Sequence, residues 1–156
     1  MKQRLYIDTS VFGGYYDEEF EESPNLFLTE YRKMSFYSFF QRWHQDELEN
    51  APIQVRELVK HLKVDFTEFV EITEEAVELA MQYIKEKVVG QTSYADCLHI
   101  ALATIHHANF LVSWNFKHIV NVQKIMGYNS INIKNGYKQL EIRSPRDFIK
   151  YEDDNW

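Results

Sequence analysis

The stretch Leu5-Tyr6-Ile7-Asp8-Thr9-Ser10 dominates the interpretation of this chain, because a short apolar run ends there in an acid and two hydroxyl residues. Three consecutive apolar residues without polar alternation predict a strand buried on both faces, as in the centre of a parallel sheet. A carboxylate beside such a strand is costly to bury unless it is paired, hydrogen-bonded or bound to a cation. Asp8 therefore requires partners from elsewhere in the chain.

The composition is that of a single globular domain. The chain has 156 residues, of which 45% are hydrophobic and 15% aromatic, enough for one sizeable core. We expect one domain over residues 1–150 and an acidic, frayed tail over 151–156. No apolar run approaches the roughly 20 residues of a membrane span, and the N-terminus lacks a signal-peptide pattern. Cys97 is the single cysteine, so an intrachain disulfide is excluded, and we expect a cytoplasmic protein.

The charge balance is acidic. The net charge is −7, from 24 Asp and Glu against 17 Lys and Arg. This weighs against a surface built mainly to hold nucleic acid. It remains compatible with a small acidic pocket that meets phosphates through a metal ion, and with a cationic protein partner.

The pattern of elements predicts an α/β fold. Short apolar runs alternate with helical segments. Strands are expected at Leu5–Ile7, Phe110–Ser113, Ile131–Ile133 and Leu140–Ile142. Helices are expected after Thr73, over Tyr94–Ala108, and over Ile119–Met126, where Gly127 ends the helix. Connections too long for hairpins argue for a three-layer α/β/α sandwich around a central, mainly parallel sheet.

An aromatic stripe distinguishes the first third of the chain. A helix is expected from about Ser23 to residue 42, with Phe36, Phe39, Phe40 and Trp43 at helical spacing. Such a stripe is most often core; a dimer or partner surface and a base-stacking platform are the alternatives.

Three polar residues are expected at one edge of the sheet. Asp8 and Asn115 follow the first strand and the Phe110–Ser113 strand, and Asp96 lies in the first turn of the central helix. Together they bring two carboxylates and a carboxamide to one place without cationic neighbours, which is unfavourable unless protons or a divalent cation neutralise it. An oxygen-only ligand set suits Mg²⁺ or Mn²⁺.

Each of these residues also has a purely structural interpretation. Asp8 can form a strand-end Asx turn, Asp96 can belong to a capping box with Ser93, and Asn115 alone is more often a turn residue. His99 lies one turn after Asp96, within possible reach of the site, but a lone histidine on an apolar helix is more often a core residue.

Four segments together resemble the PIN-domain family, in particular toxin-like ribonucleases of the VapC type. They are Tyr6-Ile7-Asp8-Thr9-Ser10-Val11, Asp46-Glu47-Leu48-Glu49-Asn50-Ala51-Pro52, Ala95-Asp96-Cys97-Leu98-His99-Ile100-Ala101-Leu102-Ala103 and Ser113-Trp114-Asn115-Phe116-Lys117-His118. The resemblance implies a parallel-sheet α/β/α fold and a Mg²⁺- or Mn²⁺-dependent endoribonuclease. Matched by motif, Asp8, Glu47 and Asp96 hold the metal, and Asn115 stands at a fourth position where many members carry Asp.

The resemblance also implies that Thr9 or Ser10 assists with a hydroxyl or backbone contact. It further implies partners: RNA as substrate, a cognate antitoxin that holds the toxin inactive, and a second copy in a homodimer. On this hypothesis a metal-activated water hydrolyses the RNA phosphodiester. The cations nearest the site in sequence are Lys117, His118, Lys124, Arg143 and Arg146, which can equally be solvated surface charges.

Two departures from the family pattern carry expectations of their own. Asn115 is neutral, so one tightly held metal, or a second metal that is only weakly held, is expected. The family has a short strand before the helix that bears Glu47, whereas Phe36–Gln45 has helical spacing here. Without that strand Glu47 is displaced, Asp46 and Glu49 become candidates, and a solvated acidic face is the alternative. The rival functions are a catalytically weak or inactive PIN-like interaction module, and a metal-dependent phosphatase or DNA nuclease.

Overall fold

The computed structural model describes residues 3–8, 11, 37–41, 49–50, 67–88 and 94–148. In chain order the elements are β1 (Arg4–Ile7), β2 (Tyr37–Gln41), β3 (Thr67–Val70), α1 (Glu74–Lys85), α2 (Tyr94–Ile105), β4 (Phe110–Val112), α3 (Val122–Lys134), β5 (Glu141–Arg143) and a 3₁₀ turn (Pro145–Phe148).

The strands form one parallel sheet in the order β3-β2-β1-β4-β5. Parallel neighbours cannot be joined by hairpins, so each connection must cross over the sheet. The predicted α/β fold with a parallel sheet is confirmed for the described part of the chain. The expected domain limits, 1–150 and 151–156, include residues outside it.

Strand β1 lies in the middle of this sheet and is buried on both faces. Leu5 and Tyr6 are fully buried, and Ile7 is 2% exposed. Tyr6 belongs to the main apolar core with residues of the helices, while Leu5 and Ile7 point to the other face, as strand alternation requires. The interpretation of this apolar run as a central strand is therefore confirmed.

Helices α1 and α2 pack against each other, and α2 also contacts β2 and β4. Helix α1 begins as expected, because the Thr73 side chain accepts a hydrogen bond from the Ala76 N–H at 3.2 Å. Helix α2 is buried along most of its length from Cys97 to Thr104, in agreement with its apolar sequence. In the described part of the chain no helix is long and apolar enough to cross a membrane.

Strand β2 corrects the expectation of a helix that continues to residue 42. Tyr37–Gln41 pairs in parallel with β1 on one side and with β3 on the other. Ser38 and Phe40 are fully buried on the same face of this strand. The reason is non-local: two neighbouring strands satisfy the backbone of a short apolar run that local spacing alone cannot distinguish from a helix. A strand therefore does precede the segment that carries Glu47.

Helix α3 corrects two further expectations. The helix expected over Ile119–Met126 instead covers Val122–Lys134, and the strand expected at Ile131–Ile133 is wrong because these residues form its last turns. Asn121 caps the helix by accepting a hydrogen bond from the Lys124 N–H at 3.2 Å.

Gly127 lies inside α3 and does not end it. A Cβ at this position would lie 2.9 Å from Val88 Cγ1, so the missing side chain allows close packing of the segment after α1. The helix ends instead near Gly136, whose φ of +83° is the left-handed conformation that favours glycine.

Candidate active site at the carboxyl edge of the sheet

The strand order creates a switch point between β1 and β4. From β1 the chain crosses to β2 on one side, and it later returns to β4 on the other side of β1. In open parallel sheets, ligands bind in the crevice outside the carboxyl ends of the strands at such a point. Asp8 and Ser113 are the first residues past these two strands, and the Asp8 N–H donates to the Val112 carbonyl at 3.0 Å.

Asp8 is a buried carboxylate with a defined partner on each oxygen. It is 4% exposed. Its Oδ2 accepts a hydrogen bond from the Ser113 hydroxyl at 2.7 Å, and its Oδ1 lies 3.3 Å from His99 Nε2. The cost of burying this charge is thus offset by specific contacts.

His99 is the residue whose role sequence analysis underestimated. It is buried, as expected for the apolar face of α2, but it also contacts Asp8. Its Nδ1 lies 2.8 Å from the hydroxyl of Tyr6. Burial, together with the charge of Asp8, raises the pKa of Tyr6 well above its ordinary value, so Tyr6 keeps its proton. The hydroxyl can donate to Nδ1, which leaves the Nε2 proton facing Asp8. In this tautomer the ring is a neutral hydrogen-bond donor to Asp8.

Asp96 enters the site from the first turn of α2. Only a few residues separate α2 from β4, so the helix runs antiparallel to the strand and its N-terminal end lies at the carboxyl edge. Burial raises the pKa of Asp96, and the charge of Asp8 raises it further. His118, a hydrogen bond from the Asn115 side chain, and His99 act in the opposite direction. Asp8, Asp96 and Asn115 are therefore close enough to influence one another.

Asn115 closes a turn and also belongs to the candidate site. Its Oδ1 accepts a hydrogen bond from the His118 N–H at 3.0 Å, which closes the turn after β4. Its backbone N–H donates to the Ser113 hydroxyl oxygen at 3.0 Å. Because its side chain also donates to Asp96, Asn115 links both sides of the cluster. Ser113 and Asn115 thus connect Asp8 with Asp96 through hydrogen bonds.

The other candidate ligands are placed less completely. Glu47, Asp46, Thr9 and Ser10 lie outside the described residues. Glu49 is described and is exposed. The site is therefore characterised on the side formed by β1, α2 and β4.

The donor set at this edge suits a cation. Two carboxylates approach closely enough for Asp8 to raise the pKa of Asp96, and a divalent ion would relieve that repulsion. Within residues 3–8, 11, 37–41, 49–50, 67–88 and 94–148, no group of three or more His, Cys, Asp and Glu is arranged to hold a metal ion. A complete ligand set needs a further contribution, for which the resemblance names Glu47.

Cationic side chains lie along the turn that follows β4. Lys124 Nζ is 3.0 Å from His118 Nδ1. Slight burial, together with the charge of Lys124, lowers the pKa of His118, while Asp96 acts against this. The guanidinium of Arg146 lies over the ring of Trp114, 5.6 Å from its centroid. Arg143 forms a 2.6 Å ion pair with Glu141.

Comparisons with known proteins add no family assignment. No protein-family model, curated protein or solved structure matches the chain. The PIN resemblance consequently stays a prediction from the residues of this sequence.

Ser113 and Tyr6 belong to the site but were not singled out by sequence analysis. A usable signal existed for Ser113, because it follows a strand in the same way as Asp8, and Ile7 pairs with Val112 in the sheet. Asp8 and Ser113, which follow Ile7 and Val112, must then be neighbours. For Tyr6 and His99 there was no local signal, since their contact joins β1 to a helix 93 residues later.

Proposed function

We propose that this chain is a metal-dependent endoribonuclease of the PIN type, built as a three-layer α/β/α sandwich. The observation that carries the proposal is the meeting of Asp8 and Asp96 at the switch point of a parallel sheet. Burial, together with the charge of Asp8, raises the pKa of Asp96, and a divalent cation between the two carboxylates would relieve this cost. The order and spacing of the PIN-like segments support the same conclusion.

In this proposal Asp8, Glu47 and Asp96 hold one Mg²⁺ or Mn²⁺ ion. When bound, such an ion polarises phosphoryl oxygens and lowers the pKa of water. Ser113 fixes the Asp8 carboxylate by donating to Oδ2. Asn115 donates to Asp96, so it orients that carboxylate rather than adding charge for a second ion.

The cations after β4 would bind the phosphates of RNA. The Lys124 ammonium donates to Nδ1 of the neutral His118 ring at 3.0 Å, beside the charge of Asp96. Arg146 is positioned over Trp114, directly before Asn115 in sequence. The positive charges of Lys124 and Arg146 would allow an acidic protein to hold a phosphodiester at one edge of the sheet. Arg143 contributes less, because Glu141 pairs with it.

A cleavage assay on single-stranded RNA tests the function. The wild-type protein with Mn²⁺ is expected to cut the RNA, and EDTA is expected to abolish cleavage. Asp96→Asn removes one negative charge with little change in shape, and we expect at least a 100-fold loss of rate, within the range typical for groups that act on the transition state. The matched control is Glu86→Gln, which removes an exposed charge paired with Lys134 at 3.1 Å and should cleave normally.

The outcomes separate the candidate chemistries. Cleavage of single-stranded DNA but not RNA would indicate a DNA nuclease, and hydrolysis of p-nitrophenyl phosphate alone would indicate a phosphatase. Cleavage that persists in both EDTA and Asp96→Asn would overturn the proposal, because a contaminating ribonuclease would then explain it.

A PIN-like interaction module is the second candidate. It is favoured by one observation: the Asn115 Oδ1 atom already accepts the His118 N–H, so this position serves the fold as well as the site. Such a module would bind a protein partner, in the proposed setting a cytoplasmic antitoxin or a second copy of the chain, without cleaving RNA. Absence of Mn²⁺ binding in the wild-type protein would favour it over the nuclease.

A further inference from the structure

Phe116 is an exposed aromatic residue in the turn that joins β4 to α3. Its exposed fraction is 43%. A scattered apolar residue on a protein surface is common and means little by itself. The position of Phe116 is more specific, because it directly follows Asn115, whose side chain donates to Asp96. Consecutive Cα atoms are about 3.8 Å apart, so Phe116 belongs to the immediate surroundings of the acids at the carboxyl edge.

The turn and a neighbouring ring hold Phe116 in a defined place. Asn115 Oδ1 accepts the His118 N–H at 3.0 Å, and the Asn115 carbonyl accepts the Ile119 N–H at 3.1 Å. The Phe116 and Trp114 ring centroids are 6.0 Å apart, and Trp114 is only 6% exposed. A ring that is already held by its surroundings loses little conformational freedom when a ligand binds to it.

Positive charge gathers at the same turn, although the whole chain carries a net charge of −7. Lys117 follows Phe116 and is exposed. The Lys124 ammonium reaches the turn through its contact with His118, and the Arg146 guanidinium lies over the Trp114 ring. An exposed aromatic ring beside cations matches the two parts of a single-stranded nucleic acid, because bases stack on aromatic rings and phosphates attract cations.

We propose that Phe116 is a stacking platform for an unpaired base of the RNA substrate, beside the phosphodiester that is cleaved. The inference rests on the proposed function and adds a substrate subsite to it. A base inside a duplex is covered on both faces by its neighbours, so a stacking platform selects single-stranded RNA. Every base has a π-face, and the subsite therefore carries little sequence preference.

Binding of a short single-stranded RNA in EDTA tests the subsite, because EDTA removes the metal on which the proposed cleavage depends. Fluorescence anisotropy compares labelled oligouridylate with an abasic chain of the same length, which keeps the phosphates but lacks the bases. We expect wild type to bind oligouridylate at least about fivefold more tightly, as stacking of one base typically provides. Equal affinity for the two chains overturns the proposal without any variant.

Substitutions at Phe116 assign the effect to this ring. Phe116→Leu keeps an apolar side chain without a π-face, and we expect about fivefold weaker binding of oligouridylate with unchanged binding of the abasic chain. Phe116→Tyr keeps the ring and should bind both chains as wild type does. The matched control, Ile133→Ala, removes a 61% exposed apolar side chain near the far end of α3 and should change neither affinity. An equal loss for both chains in Phe116→Leu would indicate a general change in the turn and overturn the proposal.

Cleavage of RNA with Mn²⁺, measured on the same proteins, separates this inference from the proposed function. If wild type cleaves RNA but its binding of oligouridylate does not depend on Phe116, only the subsite fails. If binding depends on Phe116 and wild type does not cleave, the nuclease fails and the subsite for single-stranded RNA stands. If wild type binds neither chain, the exposed ring serves another purpose, such as a protein contact, and the inference is overturned.

Discussion

Two polar clusters among the described residues, one buried and one partly buried, differ in how their hydrogen bonds are used. One lies between the helices, where Tyr83 donates to Asn132 Oδ1, Asn132 Nδ2 donates to Thr104 at 3.1 Å, and Thr104 donates to the Ile100 carbonyl at 2.8 Å. The other is the carboxyl-edge cluster of Asp8, His99, Ser113, Asp96 and Asn115. Each contains several polar groups in a largely apolar setting.

The helix cluster is electrically neutral and ends on a backbone carbonyl. Burial raises the pKa of Tyr83, so its hydroxyl stays protonated and the chain of donors has one fixed direction. Such a network satisfies its members and specifies how the three helices pack. It stores no charge that a ligand could neutralise.

The carboxyl-edge cluster leaves an electrostatic imbalance. Asp8 and Asp96 repel each other, and the hydrogen bonds from Ser113 and Asn115 only moderate that repulsion. The difference between the clusters shows why burial of polar groups alone does not mark a functional site. An electrostatic imbalance that a cation can relieve is the better marker of a functional site, because binding of the cation restores the stability that the repulsion costs the fold.

The largest effect is expected from breaking the neutral cluster. Asn132 is fully buried, and Asn132→Ala removes the partners of both Tyr83 and Thr104 while leaving a small cavity. We expect the free energy of unfolding to fall by about 3 kcal/mol. Urea unfolding at pH 6 and pH 8 should give the same loss, since no member of this network titrates in that range.

Ser130→Ala, at an exposed position of the same helix, is the matched control and should change stability by less than about 0.5 kcal/mol. A loss below about 1 kcal/mol for Asn132→Ala would show that the network contributes little, and the contrast between the two clusters would then disappear.

A smaller effect is expected when the carboxyl-edge cluster loses one neutral member. Ser113→Ala removes the hydroxyl that donates to Asp8 and accepts from the Asn115 N–H. Bonds to charged groups are worth about 1.5–3 kcal/mol, so we expect a loss of about 2 kcal/mol by urea unfolding in EDTA. Ser144→Ala, just past the end of β5, should cost less. Equal losses of unfolding free energy for the two variants would mean that the hydrogen bond to Asp8 adds no more stability than the hydroxyl of Ser144.

The positions of Asp8, Asp96 and Asn115 were accessible from the sequence because parallel-sheet topology constrains them. Residues just past β1 and β4 must lie at one edge, and the helix that leads into β4 must begin near that edge. These inferences need only the order of elements, not their packing. Their meeting is therefore a consequence of the fold that the first apolar run already indicated.

The parts that sequence analysis missed depend on contacts between distant segments. Phe36, Phe39 and Phe40 fit helical spacing, yet pairing with β1 and β3 makes Tyr37–Gln41 a strand. The contact of His99 with Asp8 depends on how α2 packs over β1, which periodicity does not encode. Gly127 was mistaken for a helix end because its role lies in its packing against Val88.

The smallest effect, and one of opposite sign, is expected for Asp96→Asn. Burial and Asp8 hold the pKa of Asp96 above its ordinary value of 3.8, so the folded state binds a proton more tightly than the unfolded state. The free energy of unfolding therefore decreases as pH rises from about 4 through the raised pKa, and wild type carries the full penalty above it. Without metal, we expect Asp96→Asn to be slightly more stable than wild type at pH 7, with a gain that shrinks toward pH 4.

Metal should reverse this order, because an ion that binds only the folded state stabilises it by about 2.7 kcal/mol at a hundred times its dissociation constant. Urea unfolding at pH 7 with EDTA and then with Mn²⁺ measures both signs, and Glu86→Gln serves as the control with no change in either condition. If Asp96→Asn is the less stable protein even in EDTA, the carboxylate stabilises the fold rather than awaiting a cation. The carboxyl-edge cluster would then be structural, like the one between the helices.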